Sequence, residues 1–197
     1  NKKINIKSYN IAVIDCGIKY NQLRILEDLG CNCLVYPNSS NSEEILSKNP
    51  DGIFISNGPG DPAGAPKVTK LITHLIESKL PLFGICFGHQ MLGLALGANS
   101  FKLKFGHRGA NQPIQDLRTT KVEIASHNHG FCIDADSVDK NNIEITHLNL
   151  NDNTVAGLRH KKQPLFCVQY HPEAAPGPHD PFYLFEEFIN LIQENKS

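Results

Sequence analysis

Within the first hundred residues, four short apolar runs each lead into a segment with helical spacing. No other feature limits the fold as much. The runs are residues 11–15, 33–36, 52–56 and 82–85. They are apolar throughout rather than alternating, the pattern of strands buried on both faces of a parallel sheet. Residues 20–29 carry Leu23, Leu26 and Leu29 and stop at Gly30; residues 42–48 open at Ser42 with Glu43 and Glu44 in the first turn and end before Pro50. Both read as helices. Residues 66–79 place Val68, Leu71, Ile72, Leu75 and Ile76 on one face, and residues 89–96 run to Gly97, giving two more. After residue 100 the pattern changes to shorter strands at 121–125, 143–148, 154–158 and 166–170. They read as mainly antiparallel, with a hairpin at Asn151-Asp152-Asn153. A last amphipathic helix spans 180–193 through Phe182, Phe185, Phe188, Ile189 and Ile192. The expected fold is a doubly wound three-layer α/β sandwich. Its open sheet is mostly parallel, in a flavodoxin-like layout, with antiparallel strands added in the second half.

At 197 residues, 40% hydrophobic and 20% charged, the chain suits one soluble domain with one substantial core. Lys and Arg number 19 against 20 Asp and Glu, and no basic run exceeds Lys2-Lys3 or Lys161-Lys162, so nucleic acid is not an expected partner. The polar start has no signal-peptide core. The apolar stretch 82–98 is interrupted by His89, Gln90 and four glycines, so no membrane span is expected. Six cysteines without a Cys-x-x-Cys spacing suggest reduced thiols in a cytoplasmic setting.

Ligands of an open parallel sheet bind beyond the carboxyl ends of its strands. The fourth run is followed there by Gly84-Ile85-Cys86-Phe87-Gly88 and a helix. Small residues two before and two after a nucleophile permit a sharp strand-to-helix turn. Such a turn exposes the thiol at a helix N-terminus, where the dipole favours its anion. The alternative for Cys86 is a buried cysteine beside packing glycines. A cysteine nucleophile needs a base and a group that orients it. His171, at the end of the strand at 166–170, has Glu173 two residues on along an expected extended segment, with Pro172 between them ending the strand. The alternative there is a capped strand end with a solvated glutamate.

The turn after the third run, Ser56-Asn57-Gly58-Pro59-Gly60-Asp61-Pro62-Ala63-Gly64, lacks both the acidic partner of a dinucleotide fingerprint and the Lys-Ser/Thr of a Walker loop. It reads as a rigid loop able to aim backbone N–H groups beside Cys86, or as an ordinary Pro/Gly turn. His127-Asn128-His129-Gly130-Phe131 is a polar cluster; no third metal ligand is spaced to join its His-x-His, so substrate binding or a polar turn is expected, with no metal. His89 and Gln90 face either the core or the site, and His74, His147 and His160 read as ordinary surface or core residues.

Together, Gly84-Ile-Cys-Phe-Gly-His-Gln90, Ser56-Asn-Gly-Pro-Gly-Asp-Pro62, Asn128-His-Gly-Phe131 and His171-Pro-Glu173 resemble the class I (triad) glutamine amidotransferases, over residues 10–193. Asn128–Phe131 and the stretch from His171 to Asp180 look like the carbamoyl-phosphate synthase branch of that family. The resemblance implies Cys86 as nucleophile, His171 as base and then acid, and Glu173 as the residue orienting it. Backbone at Gly58, Gly60 and Phe87 would line the oxyanion and γ-carboxamide site; Gln90, Asn128, Gly130 and Phe131 would hold the α-amino and α-carboxylate end of L-glutamine. Two positions depart from the commonest wording: Phe87, where leucine is frequent, and His127, where glutamine is frequent.

No cofactor is implied for this chain. A large synthetase subunit of carbamoyl-phosphate synthase is the implied partner, using ATP, Mg²⁺ and bicarbonate to serve arginine and pyrimidine synthesis. The resemblance also implies a missing N-terminal domain of the small subunit, with residues 1–9 as leftover linker and 10–197 as the glutaminase domain. Rival readings are the glutaminase of anthranilate or GMP synthesis, a cysteine hydrolase or peptidase of similar fold, and a catalytically silent binding module.

Overall fold

The computed structural model describes residues 8–174 and 180–196. In chain order, β1 (Tyr9–Asp15), α1 (Tyr20–Asp28), β2 (Cys31–Pro37), α2 (Ser42–Leu46), β3 (Gly52–Ile55), α3 (Pro66–Glu77), β4 (Leu82–Ile85) and α4 (Phe87–Ala95) form the expected strand–helix units. They are followed by β5 (Ser100–Asp116), β6 (Val122–Ile133), β7 (Ile143–Asn149), β8 (Val155–His160), β9 (Leu165–Val168) and α5 (Tyr183–Asn195). All nine strands join one sheet in the order β2-β1-β3-β4-β9-β8-β7-β5-β6. The run from β2 to β9 is parallel, and β8, β7, β5 and β6 continue it antiparallel.

Alternate residues of the central strands feed two apolar layers. Ala12, Ile14, Ile53, Ile55, Leu82, Leu165 and Cys167 pack beneath α2, α3 and α4, with Leu71, Ile72 and Leu75 of α3 and Met91 and Leu92 of α4 covering them. Ile11, Val13, Phe54, Phe83, Phe166 and Val168 face α1 and α5. There Phe83 stacks on Phe166 at 4.5 Å between ring centroids and meets Phe185 edge-on at 5.6 Å. These central strands have no solvated side, which is why their sequence reads as solid apolar rather than alternating.

Five details differ from the sequence reading. The cap of α2 is Asn41, whose side chain accepts from Glu43 N–H at 2.8 Å, not Ser42. Tyr9 is buried and pairs with Cys31, so it belongs to the sheet rather than to a linker; residues 1–7 of the expected linker lie outside the described residues. The strand expected at 166–170 ends at Val168, and besides its antiparallel pairing with β8 it lies parallel to β4. β5 was not expected at all. It is a long, largely exposed ribbon whose existence rests on its ladder with β6, with register shifts between Lys102 and His107 and between Gly109 and Gln112. A strand held by hydrogen bonds rather than by burial leaves no apolar period to read. The same ladder extends β6 from the expected 121–125 to Ile133.

Helix α4 approaches the sheet so closely that two of its neighbouring positions admit no side chain. A Cβ at Gly88 would overlap the Ile55 carbonyl, and one at Gly84 would lie 2.6 Å from Leu92 Cδ1 and 2.9 Å from the Gly88 carbonyl carbon. In an exposed helix, Gly→Ala stabilises by about 1 kcal/mol. Gly88→Ala is expected to do the reverse, destabilising by about 1–3 kcal/mol as overpacking does. Urea unfolding reads the sign; stabilisation would mean that α4 does not sit this close to β3.

Candidate active site

The sharpest local geometry lies between β4 and α4. Cys86 has φ 55° and ψ −101°, a left-handed conformation rare for a residue with a Cβ, and it caps the N-terminus of α4. Its own N–H donates to the Val168 carbonyl at 2.8 Å, tying the turn to the end of β9. The N–H groups of the first helical turn, beginning at Phe87, have no partner within the helix and remain available beside the thiol.

Cys86 opens into a cavity of about 610 Å³. Gly58, Gly60, Gln90, Asn128, Gly130, Phe131 and His171 line the same cavity, so the structure brings most of the sequence-predicted site together. Two predicted residues do not line it. Phe87 turns its side chain into the core beneath α3 and α4. Glu173 is buried, in contact with His171.

His171 lies three residues beyond β9, where it pairs with Ser126 as an isolated bridge; its N–H donates to the Ser126 carbonyl at 2.9 Å. The expected extended His-Pro-Glu segment is instead a turn. Ala174 N–H donates to the His171 carbonyl at 3.2 Å, and Ala174 adopts φ 29°. Folding back, rather than period-two alternation, brings Glu173 Oε1 to 2.8 Å from His171 Nδ1. Residues 175–179, part of the stretch read as branch-specific, lie outside the described residues.

The carboxylate accepts a second contact that the sequence reading did not include. Lys19, in the loop after β1, places Nζ 3.2 Å from Glu173 Oε1 and 3.4 Å from His171 Nδ1. Asn21 Nδ2 donates to the Glu173 carbonyl at 2.6 Å, holding the same turn against the start of α1. The signal for Lys19 lay in topology: its loop also follows the carboxyl end of a parallel strand, beside β3. Asn57 joins the two loops, since its Nδ2 donates to the Gly17 carbonyl at 3.0 Å and its Oδ1 accepts from Lys19 N–H at 3.2 Å.

Electrostatics separate the titrating groups. Burial alone would lower the pKa of His171, but hydrogen bonds to Cys86 and Glu173 outweigh it and raise it to about 9. Glu173 is buried too, which opposes ionisation, yet the bond to His171 and the charges of His171 and Lys19 hold its carboxyl below the ordinary range. Burial pushes the thiols of Cys16, Cys31 and Cys132 up to about 12 and that of Cys33 to about 11, and raises Cys167 further. At neutral pH these five are protonated and unreactive.

The opposite wall belongs to β6 and β5. Gln90 Nε2 donates to the Phe131 carbonyl at 2.7 Å and to Gln169 Oε1 at 3.0 Å, so this amide fixes the wall. Gln169 Nε2 in turn lies 3.8 Å from Cys86 Sγ. Lys102, Arg108 and His129 also reach the cavity from the two strands. His89 is wholly buried with Nδ1 3.2 Å from Cys167 Sγ, settling its alternatives in favour of the core. His74 is exposed, His147 is buried against Thr146 and Tyr183, and His160 accepts from Lys162 and Gln163 N–H.

Comparison with known proteins agrees with this arrangement. The sequence profile of the family described as Glutamine amidotransferase class-I matches residues 12–191. Proteins named carbamoyl phosphate synthase small chain are similar: that of Akkermansia muciniphila is 55% identical over 188 residues, covering 95% of this chain and 50% of its own length. The corresponding protein of a Nostoc species is 55% identical over 192 residues, covering 98% of this chain and 49% of its own. The chain thus spans about half the length of the curated relatives it matches. Among solved structures, a Thermoplasma acidophilum protein described as a subunit of GMP synthase superposes with a TM-score of 0.84 over 95% of this chain and 96% of that one, at 23% identity, a likeness of fold. A sequence match over nearly its whole length, joined to this shared fold, places the chain in the class I glutamine amidotransferase family.

Proposed function

We propose that this chain hydrolyses the side-chain amide of L-glutamine through a thioester on Cys86 and supplies the ammonia to the large subunit of a carbamoyl-phosphate synthase. The observation that carries the reading is the meeting of Cys86, at a strained helix N-terminus, with His171 in one cavity, while Glu173 and Lys19 hold the imidazole from behind. The names of the relatives support the choice of partner.

In this mechanism Cys86 Sγ, its proton passed to His171, attacks the γ-carbonyl carbon. Negative charge develops on the carbonyl oxygen and is met by N–H groups of Phe87 and of the Gly58–Gly60 loop; losing one such donor typically costs about 10²–10³ in rate. A Cβ at Gly58 would overlap the Cys16 carbonyl, so glycine there lets the loop pack against the end of β1, and Gly60 takes φ 103° where the loop lines the cavity. His171 returns its proton to the departing nitrogen, and ammonia leaves behind a γ-glutamyl thioester. Water then attacks with His171 as base, releasing glutamate and the thiol. Asn128, Gly130 and Phe131 hold the amino-acid end of the substrate, and Lys102 and Arg108 give that wall the positive charge an α-carboxylate needs.

Ammonia released into bulk water would be protonated and lost as a nucleophile. Transfer to a synthetase subunit that consumes ATP, Mg²⁺ and bicarbonate is therefore part of the proposal.

A glutamine analogue bearing an electrophilic γ-carbon is expected to modify Cys86 alone among six cysteines, and Cys86→Ala to abolish this and lower glutamine hydrolysis by roughly 10⁴-fold or more. Intact-mass and peptide mapping check it; modification of any other cysteine, or none with the large subunit present, sinks the assignment. Carbamoyl phosphate formed from glutamine only when the large subunit is added separates this partner from other amidotransferase systems.

Glu173→Gln removes the negative charge beside His171 Nδ1 and leaves only a neutral amide oxygen to accept from it, so the imidazole's pKa should fall from about 9. Ring-proton NMR reads that midpoint directly, and the rate should drop by about 10²–10⁴-fold as positioned proton transfer is lost. An unchanged midpoint refutes the role of Glu173. Stability follows the same groups. Because the pKa of His171 is raised on folding, its contribution is full below the ordinary 6.5 and is lost as pH rises through about 9. That of Glu173, lowered on folding, is full above the ordinary 4.5 and is lost as pH falls through its folded value.

A further inference from the structure

The His-x-His of β6 acquires its third histidine from β5. His107 pairs directly with His129 in the antiparallel ladder, and Gly109 pairs with His127. Residues two apart on a strand share a face, and so do residues directly opposite, so the three imidazoles converge. One nitrogen from each lies within 4.8 Å of the others. The register shift between Lys102 and His107 sets this alignment, which no spacing along the chain could reveal.

Hydrogen bonds orient the lone pairs of two of the rings. His129 Nδ1 lies 2.9 Å from the Phe131 carbonyl, an acceptor only, so Nδ1 carries the proton and Nε2 the lone pair. His107 Nε2 lies 2.8 Å from Asp152 Oδ2, which puts its proton on Nε2 and its lone pair on Nδ1. A backbone carbonyl and a carboxylate are the outer partners that ligating histidines use. His127 Nδ1 lies 2.9 Å from His129 Nε2, while its Nε2 is buried without a partner among the described residues. Since His129 Nε2 carries a lone pair, His127 Nδ1–H donates to it, and metal binding takes the place of that proton as His127 shifts to its Nε2–H tautomer.

We propose that His107, His127 and His129 form a binding site for one divalent transition-metal ion of the Zn²⁺ class, with Asp152 as outer partner and a water in the fourth position. Three imidazoles with an open position are an established donor set for this ion. At Zn–N distances near 2.0–2.1 Å the ligand atoms stand roughly 3.3 Å apart. His127 and His129 separate slightly, and His107 closes in by way of the irregular ladder of β5. The ion sits in the β5–β6 wall beside Asn128, where His129 itself lines the cavity. Its occupancy pins β5 to the segment that lines the cavity.

The test uses metal-stripped protein titrated with Co²⁺ as a visible probe and Zn²⁺ as competitor. The expected result is one Co²⁺ per chain with the absorption of a tetrahedral nitrogen site, displaced by Zn²⁺ and unchanged in Cys86→Ala. His127→Gln, which installs the residue frequent at this position in the family, and His107→Gln should each weaken binding by more than the 10–100-fold expected of Asp152→Asn. Absence of stoichiometric binding overturns the proposal. So does binding that survives both histidine changes, or that disappears with Cys86, which would place the ion on the thiol and His171. Activity plays no part in these readouts, so their outcome stands apart from that of the glutaminase reading.

Discussion

The backbone of Cys86 is held where few side-chain-bearing residues go, at a cost of order 1–3 kcal/mol. The turn keeps that conformation because its surroundings leave no other. Gly84 and Gly88 let α4 fall against the end of β3 within a distance no Cβ tolerates, and Cys86 N–H is bonded to the end of β9. Relaxing Cys86 into an ordinary helical or extended geometry would break that bond and push α4 away from Met91 and Leu92's apolar seat beneath β3 and β4. The core therefore stabilises the strain, and the strain aims the thiol at the cavity rather than into the sheet.

Everything else in the site is registered against this turn. The loops after β1, β3, β4 and β9 emerge at the same edge because those strands are parallel neighbours. Hydrogen bonds and an ion pair link them. Asn57 ties the β3 loop to Gly17 and Lys19; Lys19 and Asn21 hold the Glu173 turn; Glu173 fixes His171; and His171 pairs with Ser126 of β6. The ring of contacts closes through Gln90, which spans from α4 to the Phe131 carbonyl and to Gln169. A displacement of one loop is thus felt at the imidazole and at the pocket wall together.

How much of this could be read in the sequence divides along physical lines. Burial writes itself into composition, so the first four strands, their helices and the fold class were legible, whereas β9 reads as antiparallel because only the topology sets it beside β4; the elbow was legible too, because a strained turn against a close helix demands glycine at fixed offsets. Hydrogen bonding without burial leaves no such trace. β5 escaped notice for that reason, and with it Lys102, Arg108 and His107. Glu173 was placed beside His171 correctly, but by the wrong geometry, since a turn and an extended strand can both bring residues i and i+2 together. Lys19 had no local signature. Its role comes from the crossing of the chain that puts β1 between β2 and β3.

The antiparallel extension also explains why the two halves of the sheet behave differently. In the central parallel strands β3, β4 and β9, side chains on both faces are committed to the core, and chemistry is confined to the loops at one edge. β5 and β6 have weaker burial, so side chains along the strands themselves remain free to carry polar groups. There Phe131 and Asp152 turn lone pairs of His129 and His107 toward His127, the orientation that the proposed ion would use. The ladder that hid β5 from sequence patterning is the same one that assembles the cluster: its shifted register sets His107 opposite His129.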